Sequence, residues 1–152
     1  MSFSKEWEKA FNANTHISLW PWSDVVSLIH NNCKSMILKS ENTCVLELGC
    51  GAGANIPFFK KLGINYYAIE GSQTIVKKLH ERFPEMKNQI VCGDFTLSNP
   101  FNKKFDLVLD RASITHNNLK AIKQTIDIVI NSLKNNALFI GIDWFSSNHS
   151  DL

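Results

Sequence analysis

The stretch Cys44-Val45-Leu46-Glu47-Leu48-Gly49-Cys50-Gly51-Ala52-Gly53-Ala54-Asn55-Ile56-Pro57 constrains this chain more than any other. An apolar run ends in an acid, and three glycines follow at alternate positions. Asn55, Ile56 and Pro57 then read as the entry to a helix, because proline is tolerated in a first turn. A strand that turns through glycines into a helix is the unit from which open α/β sheets build a nucleotide site. The glycines allow unusual torsions and a close approach to bare main chain, and the N–H groups of the helix start face the ligand.

The rest of the chain alternates in the same way. Residues 4–12 predict a short helix with Trp7 and Phe11 four apart on one face. An aromatic, irregular segment follows through Trp20-Pro21-Trp22, which Pro21 keeps from being helical. Ser23 caps a helix running from Asp24 to about Lys39. The predicted strands are Thr43–Leu48, Asn65–Ile69, Gln89–Cys92, Phe105–Leu109 and Ala137–Ile142. Helices fill the gaps at Asn55–Leu62, Ser72 to about Phe83, and Leu119–Leu133, with a turn at Asn135-Asn136. The strands are continuous apolar runs, as expected where both faces of a sheet are covered. Strand–helix alternation without repeats predicts one α/β domain with a doubly wound, mostly parallel sheet. At 152 residues the chain is long enough for one sizeable core.

Composition narrows the partners. Sixteen basic against fourteen acidic residues leave a net charge of +2, and no Lys/Arg run exceeds two, which argues against nucleic acid. No stretch approaches the roughly 20 apolar residues of a membrane span. Cys33, Cys44, Cys50 and Cys92 have no C-x-x-C spacing, so neither a zinc knuckle, another metal site nor a dithiol is expected. Cys44 and Cys92 sit in strand-like runs, and buried free thiols fit a cytoplasmic setting.

The five predicted strands end at Glu47, Glu70, Asp94, Asp110 and Asp143. Ligands of doubly wound sheets bind beyond these carboxyl ends, so the acids line one rim. Glu70 follows Gly49 by about twenty positions, the separation at which an acid accepts ribose hydroxyls. Asp94, one strand further out, is placed to accept from an adenine amine.

This set resembles the class I S-adenosylmethionine-dependent methyltransferases. The resemblance rests on Glu47–Gly53, on Tyr67-Ala68-Ile69-Glu70-Gly71-Ser72, on Val91-Cys92-Gly93-Asp94-Phe95 and on Phe105–Arg111, and it runs from about residue 43 to 144. More loosely, the head from Trp7 to Trp22 is similar to the N-terminal arm of the thiopurine and tellurite methyltransferase group. The resemblance implies a Rossmann-like sheet of order 3-2-1-4-5, with residues 1–40 as an arm or lid and 43–144 as the core. It implies S-adenosylmethionine as the cofactor. Gly49, Cys50, Gly51, Gly53 and Asn55 would cradle the methionine part, with Glu47 at its amino end. Glu70 and Gly71 would hold the ribose. Gly93 and Asp94 would meet the adenine, with Phe95 and Ser72 flanking the ring. Trp20 or Trp22 would close over the cofactor. Asp110 and Arg111 would stand beside the methyl group and a small-molecule acceptor. Asp110 and His116 are the candidate bases, with His16 a weaker one; His30, His80 and His149 read as surface residues.

Two other readings stay open. Gly49-x-Gly51-x-x-Ala54 also satisfies the dinucleotide fingerprint of an NAD(P)-dependent oxidoreductase. Glu47 just before the first glycine counts against a pyrophosphate there, and no Tyr-x-x-x-Lys pair follows the fourth strand. The family's fold normally continues past its fifth strand with a helix and an antiparallel hairpin, which this chain is expected to lack. A C-terminally truncated chain that binds cofactor without turnover is therefore expected as an alternative. Its exposed fifth strand would be open to homodimer formation.

Overall fold

The structure, a computed structural model, describes residues 5–13, 15 and 17–144; His16 and His149 lie outside the described residues. Among the described residues, five parallel strands form one sheet in the order β3-β2-β1-β4-β5. They are β1 (Cys44–Leu48), β2 (Asn65–Glu70), β3 (Ile90–Cys92), β4 (Phe105–Arg111) and β5 (Leu133–Ile142). The helices are α1 (Lys5–Asn12), α2 (Ser23–Asn32), α3 (Lys34–Leu38), α4 (Ile56–Lys61), α5 (Gln73–Arg82) and α6 (Leu119–Ser132). This is the Rossmann-like, doubly wound sheet expected, with the reversal of strand order between β1 and β4.

The period-2 alternation of the strands divides the core. Val45, Tyr66, Ala68, Leu107 and Leu109 face the layer of α2, α4 and α5, where Ile29, Phe59 and Leu79 are buried. Leu46, Leu48, Ile69 and Val108 face the other layer, with Ile114 and with Val129 of α6. Each fully buried side chain of this size stabilises the fold by about 2 kcal/mol.

Two elements differ from expectation. The helix predicted from Asp24 to Lys39 breaks at Cys33, whose φ and ψ are −116° and 27°. Asn31 and Asn32 are weak helix formers, and the Asn32 side chain donates to the Leu28 carbonyl at 2.9 Å. The break turns Cys33 into the core at 1 % exposure. The turn expected at Asn135-Asn136 is instead a bulge inside β5. Leu133 pairs with Phe105 and Leu138 with Leu107, so extra residues are looped out of the ladder while the strand continues. Asn136 carries the kink at φ 61°, a left-handed conformation that asparagine tolerates.

Candidate cofactor and acceptor cavity

The carboxyl ends of the strands open into a cavity of about 550 Å³. Its floor is the loop between β1 and α4. Gly49 N–H donates to the Ile69 carbonyl at 2.8 Å, which carries the β1–β2 pairing into the loop. Gly51 then turns at φ +50°, and a Cβ there would point into the cavity, where the Phe11 ring at 4.0 Å is the nearest group among the described residues. Gly53, at φ +74°, differs: a Cβ there would stand 2.6 Å from Ile56 Cδ1 and from Leu79 Cδ2. Gly51 thus keeps the cavity clear, whereas Gly53 lets the loop close against α4 and α5.

The acids at the strand ends do different things. Glu47 is 3 % exposed and accepts from the Tyr66 hydroxyl at 2.6 Å and from Asn55 Nδ2 at 2.9 Å. Burial pushes its pKa up to about 7, against the pull of those two hydrogen bonds. Glu70 Oε2 accepts from Gly51 N–H at 2.8 Å and Oε1 from Ser72 N–H at 2.9 Å. Burial raises its pKa, and these backbone donors oppose the rise. Asp94 Oδ1 accepts from the Thr96 N–H and hydroxyl at 2.9 and 2.6 Å. Glu47, Glu70 and Asp94 all line the cavity.

Asp110 and Arg111 separate because neighbours on a strand face opposite ways. Asp110 is fully buried. Its Oδ1 accepts from Ser113 N–H and Ile114 N–H, both at 3.1 Å, and its Oδ2 from the Trp144 indole at 2.8 Å. Burial raises its pKa. It anchors the 3-10 turn Ile114–His116 and does not line the cavity. Arg111 points toward α2. Its guanidinium lies 3.8 Å from the Trp22 ring centre, 2.9 Å from Asp143 and, through Nε, 3.7 Å from Asp24. Replacing Asp110 with alanine leaves two backbone N–H groups and an indole without their acceptor. We expect a loss of about 3 kcal/mol in denaturant unfolding; a loss under about 1 kcal/mol would contradict this anchoring role.

The N-terminal segment roofs the cavity. The Trp7 and Phe11 rings lie 5.7 Å apart, and His116 meets Trp7 edge-on at 5.3 Å. The segment is tied down by Lys78 Nζ donating to the Phe11 carbonyl at 3.1 Å, by Thr74 donating to Glu8, and by Trp22 N–H donating to Asn55 Oδ1 at 3.4 Å. Asn55, expected to cradle the ligand, spends both ends of its amide joining Glu47 to this arm, although it also lines the cavity.

Of the residues singled out from sequence, the structure brings together Glu47, Gly49, Cys50, Gly51, Asn55, Glu70, Gly71, Gly93, Asp94, Phe95, Arg111 and His116 around this cavity. Four lie elsewhere. Trp20 is 80 % exposed, and Trp22 takes the wall position instead. Ser72 is buried as the cap of α5, accepting from Ile75 N–H at 3.1 Å. Gly53 packs the loop, and Asp110 lies beneath the 3-10 turn. His80, read as a surface residue, is half-buried with Nε2 2.8 Å from the Ile90 carbonyl. Cys44 and Cys92 are half-buried and exposed; Cys33 and Cys50 are the buried thiols. Sequence reasoning gave no cavity role to Trp7, Phe11, Ile17 or Asn117. The Trp7–Phe11 spacing marked an apolar face but not its target.

A sequence family described as a methyltransferase domain matches residues 45–136, more than half of the chain. No curated protein sequence matches. Among solved structures, the chain is similar to an S-adenosylmethionine-dependent methyltransferase from Clostridium acetobutylicum at 23 % identity and TM-score 0.65, covering 90 % of this chain and 54 % of that one. It is similar to DesVI of Streptomyces venezuelae at 16 % identity and TM-score 0.62, covering 85 % and 60 %. It is also similar to the glycopeptide N-methyltransferase MtfA complexed with S-adenosyl-L-methionine, at 22 % identity and TM-score 0.59, covering 73 % and 48 %. The chain therefore spans about half to three fifths of the length of these structures. At these identities the likeness establishes the fold. No described helix is long and apolar enough to cross a membrane. The match over β1 to the start of β5, on the strand order seen here, shows that this chain belongs to the methyltransferase domain family.

Proposed function

We propose that this chain binds S-adenosylmethionine and transfers its methyl group to a small-molecule acceptor. The observation that carries the reading is Gly51: bare main chain at positive φ, facing the open cavity and bonded by its N–H to the Glu70 carboxylate. A cradle that a single methyl group would fill suits a ligand lying across the loop. The neighbouring acids support a cation over a pyrophosphate, since Glu47, Glu70 and Asp94 all face the same space. The start of α4 also suits a dinucleotide poorly, because Ile56 N–H already donates to Gly53 and Pro57 has no N–H.

When bound, the sulfonium supplies an electrophilic methyl group and a neutral thioether leaving group. The protein's part is then alignment and exclusion of water. Glu70 holds the ribose, and Asp94 with Phe95 the adenine. The arm carrying Trp7, Phe11 and Trp22 covers the reacting end. His116, on the turn anchored by Asp110, takes the acceptor's proton as the new bond to carbon forms. Asp110 is a positioning residue in this scheme.

Calorimetric titration with S-adenosylhomocysteine tests the reading, with NAD⁺ as the competitor. We expect micromolar binding of the former and at least about tenfold weaker binding of the latter; the reverse order overturns the assignment. The weak charge of +2 supports a small molecule over nucleic acid as acceptor. Among the described residues nothing pairs with the outer edge of β5. An open edge supports pairing of two copies there. Sedimentation velocity should then show a concentration-dependent dimer, and a monomer at every concentration would exclude it.

A further inference from the structure

Resting on that reading, we infer that Trp7 is the specificity-determining wall of the acceptor subsite, and that the acceptor is uncharged and apolar apart from its nucleophilic atom. The geometry divides the cavity. Gly51, Glu70, Gly93 and Asp94 make one half. Trp7 spans to the other: its ring lies 5.7 Å from Phe11, which stands over Gly51, and 5.3 Å edge-on to His116. Trp7 therefore bridges the glycine loop and the candidate base, where an acceptor must sit to reach both.

The charges around that half are already balanced. The Arg111 guanidinium is stacked on Trp22, bonded to Asp143 at 2.9 Å and flanked by Asp24 at 3.7 Å. Both oxygens of Glu47 are taken by Tyr66 and Asn55. The remaining walls include Ile17 and Trp22. Among the described residues, Arg111 Nε is the buried side-chain atom without a hydrogen bond, and it is closed off from solvent and from any ligand in the cavity. A charged acceptor would lose its hydration there against walls whose charges are already offset, a cost that an uncharged one avoids. His116 and Asn117 line this half; the Asn117 Nδ2 already donates to the Ser113 and Ile114 carbonyls at 3.1 and 3.2 Å, so the imidazole and the Asn117 Oδ1 are the groups that can meet one O–H, S–H or N–H.

Three probes with the same phenol nucleophile test this: 4-methylphenol, the anion 4-hydroxybenzoate and the cation tyramine. Each is titrated into protein saturated with S-adenosylhomocysteine, and each is assayed for methyl transfer from labelled S-adenosylmethionine. We expect 4-methylphenol to bind at least about tenfold more tightly than either charged probe. Trp7→Ala should weaken 4-methylphenol by about tenfold or more while changing the S-adenosylhomocysteine affinity less than about threefold. Trp7→Phe should restore most of the binding, and thermal melting checks that both variants fold. A charged probe bound as well as 4-methylphenol, no binding of any phenol, or an unchanged Trp7→Ala titration would overturn the inference while leaving the cofactor reading standing. Failure of the wild-type protein to bind S-adenosylhomocysteine would instead overturn the cofactor reading, and the acceptor subsite with it.

Discussion

Gly51→Ala is expected to weaken S-adenosylhomocysteine binding about a hundredfold, close to 3 kcal/mol, while lowering the stability of the free protein by only about 1 kcal/mol. The stability cost comes from an L side chain at φ +50°, since no described residue stands closer than 4.0 Å to the added carbon. The binding cost comes from the methyl group occupying space the ligand needs. Gly53→Ala should behave in the opposite way. Its Cβ would meet Ile56 and Leu79 at 2.6 Å, so crowding adds to torsional strain for a loss of about 3–4 kcal/mol in stability. The refolded remainder should bind ligand nearly normally. Denaturant unfolding and calorimetry on the two variants separate these roles. Equal binding losses in both would mean that the loop, rather than the bare surface of Gly51, is what matters.

The second large effect concerns pH. Glu47 has its pKa pushed up to about 7 by burial, against an ordinary value of 4.5. Below pH 4.5 the group is protonated in both folded and unfolded chains, and its neutral form is accommodated at no electrostatic cost. Between pH 4.5 and about 7 the unfolded chain releases the proton and the folded one retains it. Stability therefore falls as pH rises through that window, by about 3 kcal/mol in total from this residue. Glu70 and Asp110, also raised by burial, act with the same sign. Glu47→Gln keeps an acceptor for Asn55 and removes the titration. Urea unfolding from pH 4.5 to 8 should show a clearly flatter profile for the variant, and an unchanged slope would refute the assignment to Glu47.

The strand–helix alternation, the sheet and the glycine loop were legible because each is local. Continuous apolar runs mark buried parallel strands, and glycines at alternate positions mark the one loop that needs their torsions. The residues that strayed from expectation share a physical reason. Ser72 at the head of α5 could face a ligand or cap its helix, and the bond to Ile75 N–H decided it. Trp20 and Trp22 flank a proline in a segment without periodicity, so no phase told which ring turns inward. The weak helix formers Asn31 and Asn32 lay under an apolar period that runs on past the break at Cys33, and the bulge at Asn136 follows from how β5 pairs with β4, beyond the reach of a local pattern.

The amino-acid sequence by itself determined that this chain makes a parallel sheet with a glycine loop at its centre and acids at the strand ends. Spacing alone carries that information, because hydrophobic period and backbone freedom act over a few residues. Only the tertiary structure decided what those acids and glycines do. Gly51 faces open space while Gly53 faces side chains. Glu70 lines the cavity while Asp110 lies buried beneath a turn, with Arg111 beside it reaching the opposite way. Those outcomes depend on which layer each strand position meets and on what is packed there, and contacts between distant segments set both.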